Sequence, residues 1–201
     1  MELDYVTSSL GALNEPFLKQ MYGAACGGAV PLGVKVLEHL RVYFPTQETV
    51  ANSTGGPACG GIITLDRSNY SNATFPKQCM RDYKSTRAGV LSHNKLLLAR
   101  GRKKDGTPVA WVYVGSANLT EAAWGHQKTL KSGKMGKLNV RNWESGVLVP
   151  VPQEHFAGLK LGKGEVPSMD VFKDTLEIPF EYPAEPYSGK QPWFFKEQRG
   201  L

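Results

Sequence analysis

The chain has 201 residues, 41% hydrophobic and 21% charged, and 24 Lys and Arg against 18 Asp and Glu leave a net charge of +6. Such a chain can build one well-buried domain, which excludes a disordered protein, and no apolar run approaches the roughly 18 residues that a membrane-spanning helix needs. Three cysteines, Cys26, Cys59 and Cys79, are odd in number and lack paired spacing, which argues against a disulfide framework and against a zinc site.

The residues from Met1 to Tyr5 lack the basic and apolar regions of a signal peptide, so an intracellular protein is expected. Residues 3–7 read as a short strand and 8–11 as a turn. Asn14, Glu15 and Pro16 predict a helix start, with Phe17, Leu18, Met21 and Tyr22 at helical spacing as far as Gly23. Residues 40–44 are β-branched and aromatic, predicting a strand that Pro45 ends. From 46 to 71 Gly, Ser, Thr and Asn predict loop, with one apolar run at 62–65. Residues 75–83 predict a short helix. Two strands are expected over 91–99 and 109–114, joined by a hairpin turn at Asp105 and Gly106. Thr120 is placed to cap a short helix, and 128–137, with four lysines and two glycines, predicts an exposed, mobile loop. Residues 140–149 are strand-like. Beyond them a Pro- and aromatic-rich segment, 150–201, is expected to pack on the rest, with strand pieces near Phe172 and at 178–180.

His93 and Lys95 stand two apart, and on a strand that spacing sends both side chains to one face. The second strand ends in Gly115, Ser116, Ala117 and Asn118, a small-residue turn that would present an amide at a strand terminus. Imidazole, ammonium and amide together suit an anionic phosphate: the lysine neutralises charge, the asparagine donates hydrogen bonds, and the histidine can move a proton near neutrality. Lys84, Arg87, Lys95 and Arg100 form a local basic cluster, either a phosphate-facing groove or a solvated polar face. The net charge favours an anionic partner, nucleic acid first, and is equally compatible with a basic surface that has none.

His-x-Lys followed by Gly-Ser-x-Asn resembles the phospholipase D superfamily. The run from Gly115 to Gly125, with Trp143, Glu144 and Gly146 beyond it, Thr7 to Gly11 at the front and Pro192 and Trp193 at the back, is similar to the tyrosyl-DNA phosphodiesterases in particular. The resemblance implies an α/β (α+β) fold over residues 1–201, a single phospholipase D-like domain with a mixed sheet flanked by helices. It implies a nuclear DNA-repair hydrolase without metal, cofactor or membrane partner, acting on DNA that carries a 3′-phosphotyrosyl bond to type IB topoisomerase or another 3′ adduct. His93 would protonate the leaving phenolate and then activate water, while Lys95 and Asn118 hold the non-bridging oxygens. Glu144 would orient His93 and favour its protonated form. Ser8 and Ser9 would contact DNA phosphate, Ser116 and Arg87 complete the expected phosphate-binding set, and Trp124 is expected to pack rather than stack on a base.

Two departures bear on that resemblance. Most of the superfamily carries an aspartate where this chain has Arg100; the tyrosyl-DNA enzymes also lack it, which supports the narrower assignment. More seriously, those enzymes have two motifs in one chain, the first supplying a nucleophilic histidine, and residues 1–201 contain only the second. His126 and Lys128 form another His-x-Lys, but no strand and Gly-Ser-x-Asn follow it, so it is read as accidental. The expected partner is therefore a missing N-terminal catalytic half, or a second copy in a homodimeric single-motif nuclease. A non-catalytic DNA-binding module is the alternative of another class.

Overall fold

The computed structural model describes residues 1–162 and 164–198, so the last residues of the 150–201 segment lie outside the described residues. In chain order the elements that matter are β1 (Glu2–Val6), α1 (Glu15–Ala25), β2 (Leu40–Phe44), α2 (Gln47–Ala51), α3 (Arg67–Tyr70), β3 (Met80–Asp82), β4 (Lys95–Arg102), β5 (Pro108–Gly115), α4 (Glu121–Trp124), β6 (His126–Thr129), β7 (Met135–Asn139) and β8 (Gly146–Pro150). Six strands form one mixed sheet in the order β3-β2-β1-β4-β5-β8, and β6 and β7 form a separate two-stranded ribbon. The first three strands are parallel to one another; β4, β5 and β8 each run antiparallel to the strand before them in the sheet.

The unbroken apolar run in β4 reflects a strand covered on both faces. Leu97 and Ala99 join Leu3, Tyr5 and the α1 residues Phe17, Leu18 and Met21 in one core, while Leu96 and Leu98 join Val6, Tyr43, Phe172 and Phe180 in the other. Helix α1 starts where expected, with the Asn14 side chain accepting from the Phe17 amide at 2.9 Å. It continues to Ala25 rather than Gly23, and the chain after it folds back closely over Gly23, where a Cβ would lie 2.8 Å from the Gly28 carbonyl.

Several local expectations are corrected by tertiary pairing. The stretch 46–71 is not plain loop but carries α2, a 3-10 segment Gly56–Ile62 and α3. Thr46 caps α2 by accepting from the Thr49 amide, and the buried Ile63 and Leu65 tie the region to the core. Residues 75–83 are not a helix: a 3-10 turn leads into β3, which pairs with β2 and buries Met80 and Asp82. Residues 128–137 belong to the β6–β7 ribbon instead of a free loop. The strand expected over 140–149 begins only at Gly146, and that expected at 91 begins at Lys95. Near Phe172 the chain forms a 3-10 turn, Met169–Phe172, and Phe180 contributes a single bridge to Ser85.

The C-terminal segment closes the molecule on both faces. Phe172 and Phe180 enter one core; Tyr187, Trp193 and Phe194 enter the other. Trp193 donates from Nε1 to the Gly60 carbonyl at 3.0 Å, and a Cβ on Gly60 would sit 2.4 Å from the indole, so only glycine fits there. Arg100 also has a structural explanation. Its guanidinium lies 2.7 Å from Asp4, which is 1% exposed and also bound by Arg41 and the Tyr43 hydroxyl, so the buried carboxylate is paired and hydrogen-bonded.

Candidate active site

Because β4 runs antiparallel to both β1 and β5, the exits of β1 and β5 and the entry to β4 meet at one end of the sheet. Thr7, Ser8 and Ser9 leave β1 there, Asn118 follows β5, and His93 and Lys95 lead into β4. The Asn118 oxygen Oδ1 receives three donors: the Ser9 amide at 3.0 Å, the Thr7 hydroxyl at 3.1 Å and the Ser8 hydroxyl at 3.2 Å. Thr7 has one hydroxyl proton to share between Asn118 and the Ser9 carbonyl at 2.8 Å, and it also accepts from the Leu119 amide. With Oδ1 committed, the Asn118 NH2 faces outward as the donor, and it meets no acceptor among the described residues.

Lys95 is 7% exposed, and its ammonium donates to the His93 carbonyl at 2.7 Å, which uses one of its three N–H bonds. Burial lowers the Lys95 pKa, while the charge of Glu144 acts in the opposite direction. His93 is exposed, in the extended approach just before β4. Its pKa lies below the ordinary histidine value, through partial burial first and the Lys95 charge second.

Glu144 departs from expectation. Its carboxylate accepts from Ser116 Oγ at 2.5 Å and Asn142 Nδ2 at 2.9 Å, with no bond to His93. The cause is local: 140–145 is irregular, and Ser116 and Ser145 clamp it to β5 through Ser116 N to Ser145 O and Ser145 N to Ser116 Oγ, both 2.9 Å. Glu144 therefore bears on Lys95, and the proposed boost to protonated His93 is absent from this geometry. Gly115 and Gly146, paired across β5 and β8, make room for the Tyr113 side chain: a Cβ on either would lie 2.2 Å from it.

A family model described as tyrosyl-DNA phosphodiesterase matches residues 1–188, which include every residue of this cluster. The chain belongs to the tyrosyl-DNA phosphodiesterase family. It is 26% identical over 194 residues to a probable tyrosyl-DNA phosphodiesterase of Caenorhabditis elegans, covering 95% of this chain and 38% of that protein. Tyrosyl-DNA phosphodiesterase 1 of Arabidopsis thaliana is also 26% identical, over 95% of this chain and 36% of its own length. A crystal structure of a histidine-to-asparagine mutant of yeast tyrosyl-DNA phosphodiesterase shares the fold, with a TM-score of 0.58 at 18% identity over 96% of this chain and 49% of that one. The chain thus spans under two fifths of these curated members and about half of the solved one.

Within this family member the remaining expected residues divide. Ser8 is 1% exposed and its hydroxyl is given to Asn118, so it positions the amide and offers no surface to a DNA phosphate. Ser9 is half-buried and its hydroxyl accepts from Thr64 at 2.7 Å. Ser116 is exposed but held by Glu144, and Arg87 is exposed on the segment that precedes His93. Among the described residues no three His, Cys, Asp or Glu side chains cluster to hold a metal. Sequence reasoning did not single out Thr7 or Tyr5. Thr7 could be suspected from the Thr-Ser-Ser run, whereas Tyr5 reads only as a strand residue. The Tyr5 hydroxyl donates to the Ala117 carbonyl at 2.8 Å and accepts from Trp124 Nε1 at 2.7 Å, which fixes the turn carrying Asn118. Trp124 packs edge-on against Tyr5 and Tyr113, with ring centroids 6.2 and 5.1 Å apart.

Proposed function

We propose that this chain supplies the phosphate anchor and the general acid of a tyrosyl-DNA phosphodiesterase that releases DNA from a 3′-phosphotyrosyl bond to type IB topoisomerase. The observation that carries the reading is the Asn118 amide, held by its oxygen so that its NH2 is left to donate, on the turn that follows Gly115, the residue paired with Lys95 across β4 and β5. Two fixed donors, one charged, suit the non-bridging oxygens of a phosphodiester, where negative charge grows in the transition state.

A histidine from a complementary half attacks phosphorus. The P–O bond to tyrosine breaks as a P–N bond forms, and His93 gives its proton to the departing oxygen. Neutral His93 then takes a proton from water, whose oxygen displaces the histidine nitrogen and frees the DNA end. The lowered His93 pKa suits the second step directly. A bound phosphodiester adds the negative charge that offsets Lys95 and favours the proton needed for the first. Glu144 acts in this scheme on Ser116 and Lys95 rather than on His93.

The complementary half is supported by the single motif and by the greater length of the relatives. It is supported also by exposed apolar side chains near Glu144: Trp143, just before the outer strand β8, is 102% exposed, and Val147 and Leu148 on that strand are 59% and 65% exposed. Exposed apolar surface on an outer strand is a place where another chain can dock. A nuclear location accords with a DNA substrate. The test is hydrolysis of a 3′-phosphotyrosyl oligonucleotide: joined to its complementary half the chain turns over, and His93→Ala costs roughly 100- to 10,000-fold. Activity unaffected by His93→Ala would point instead to a DNA-binding module, and an active dimer of this chain alone to the single-motif nuclease.

A further inference from the structure

We propose that the β6–β7 ribbon is a docking arm for the phosphate backbone of the DNA strand whose end enters the site. The inference rests on the reading of that site as acting on DNA. Residues 126–141 hold five Lys and Arg and no Asp or Glu, against a net charge of +6 for the whole chain, so nearly all the excess positive charge sits on one hairpin.

Strand alternation sorts these charges. His126 pairs with Asn139 and Gln127 with Leu138. Gln127 and Leu138 turn toward α1, where Gln20 donates to the Gln127 carbonyl at 3.2 Å and Gly125 leaves room for Leu138 and Val140. The opposite face carries His126, Lys128, Lys137 and Arg141 around a concavity of about 380 Å³. One carboxylate, Glu121, faces it, 3.4 Å from His126 Nδ1, and that nitrogen is buried without a hydrogen-bond partner. Lys128 lies on β6, Lys137 on β7 and Arg141 on the segment after it, so the cations are spread over both strands and beyond. A polyanion suits such a spread better than a free phosphate.

The ribbon is also rooted in the site. It is the excursion between Asn118 and Glu144, and its base is pinned where the Arg141 and Asn142 amides both donate to the Ala122 carbonyl at 3.0 Å. A strand held on this face is thereby tied to the loops that carry the phosphate anchor. The bland alternative is a solvated basic hairpin that serves solubility.

The experiment measures binding of the chain to fluorescein-labelled single- and double-stranded oligonucleotides without a 3′ adduct, by anisotropy across a salt series. The ribbon variant is Lys128→Gln/Lys137→Gln. A charge-matched control, Lys103→Gln/Lys104→Gln, lies at the β4–β5 turn on the far end of the sheet. Losing two phosphate contacts should flatten the slope of log K against log salt by about 1.4 for single strands and about 1.8 for duplex, and weaken duplex binding on the order of 30-fold at 0.15 M salt. The control should stay near the unsubstituted chain. Equal losses in both variants would mean net charge only, and unchanged binding in the ribbon variant, or none by the unsubstituted chain, would overturn the arm. No turnover is read, so a chain that hydrolyses nothing can still support the ribbon, and a failed ribbon leaves His93 to its own test.

Discussion

Ser8 and Asn118, 110 residues apart in sequence, are joined by a hydrogen bond of 3.2 Å that helps fix the amide oxygen as acceptor and leaves the NH2 to donate. Ser8→Ala removes one of three donors from Oδ1 and should cost stability by about 0.5–1.5 kcal/mol. In the complete enzyme it should lower kcat more than it raises KM, since the amide loses orientation while Lys95 still attracts the phosphate. Thermal unfolding and steady-state kinetics on one preparation check this, and a variant with normal kcat would show that the Ser9 and Thr7 donors suffice.

His93 should titrate below the ordinary histidine value of about 6.5, because burial and Lys95 both disfavour its charged form. For a histidine depressed in the folded state, the sign is that the unfolded chain binds the proton more readily. Stability is then lost as pH falls through the unfolded value and the folded one below it. Lys95→Gln should raise the His93 midpoint as read by imidazole NMR. A midpoint at or above the ordinary value, indifferent to Lys95, would contradict the geometry.

Glu144→Gln should leave the His93 midpoint in place, because the carboxylate meets Ser116 and Asn142 instead. The same substitution should lower the Lys95 pKa further by removing the one charge that supports its ammonium. A clear fall in the His93 midpoint would restore the direct pairing expected from the family resemblance.

Gly60→Ala should destabilise the fold, since its Cβ meets the Trp193 indole at 2.4 Å and Trp193 is 1% exposed. Overpacking of this kind costs about 1–3 kcal/mol, a melting shift of roughly 2–4 °C per kcal/mol for a chain of this size. Gly27→Ala meets no atom within 4 Å and carries only the backbone cost of a positive φ of 75°, so it serves as the milder comparison in the same melting assay.

The central strands and the motif were legible because their signals are local. The strand expected over 91–99 is found as β4 from Lys95, and the hairpin between β4 and β5 is marked by Asp105 and Gly106. What local pattern could not convey is long-range pairing. β3 is only three residues long and exists because β2 offers it an edge, and the lysine-rich 128–137 looks like loop until Gln127 pairs with Leu138 and the Gln127 carbonyl accepts from Gln20 of α1. In the site, His93, Lys95 and Asn118 were visible from residue chemistry. The burial of Ser8, the role of Tyr5 beneath Ala117 and the turn of Glu144 toward Ser116 depend on contacts more than 25 residues apart in sequence.

Whether His93, Lys95 and Asn118 form half of a phosphodiester-cleaving site is read out by single-turnover hydrolysis of a 3′-phosphotyrosyl oligonucleotide. The chain alone should show almost no release of tyrosine. Joined to its complementary half it should release tyrosine at a rate that His93→Ala cuts by roughly 100- to 10,000-fold. Rapid release by the monomeric chain alone, or a joined His93→Ala protein as fast as the unsubstituted one, would contradict such a half-site.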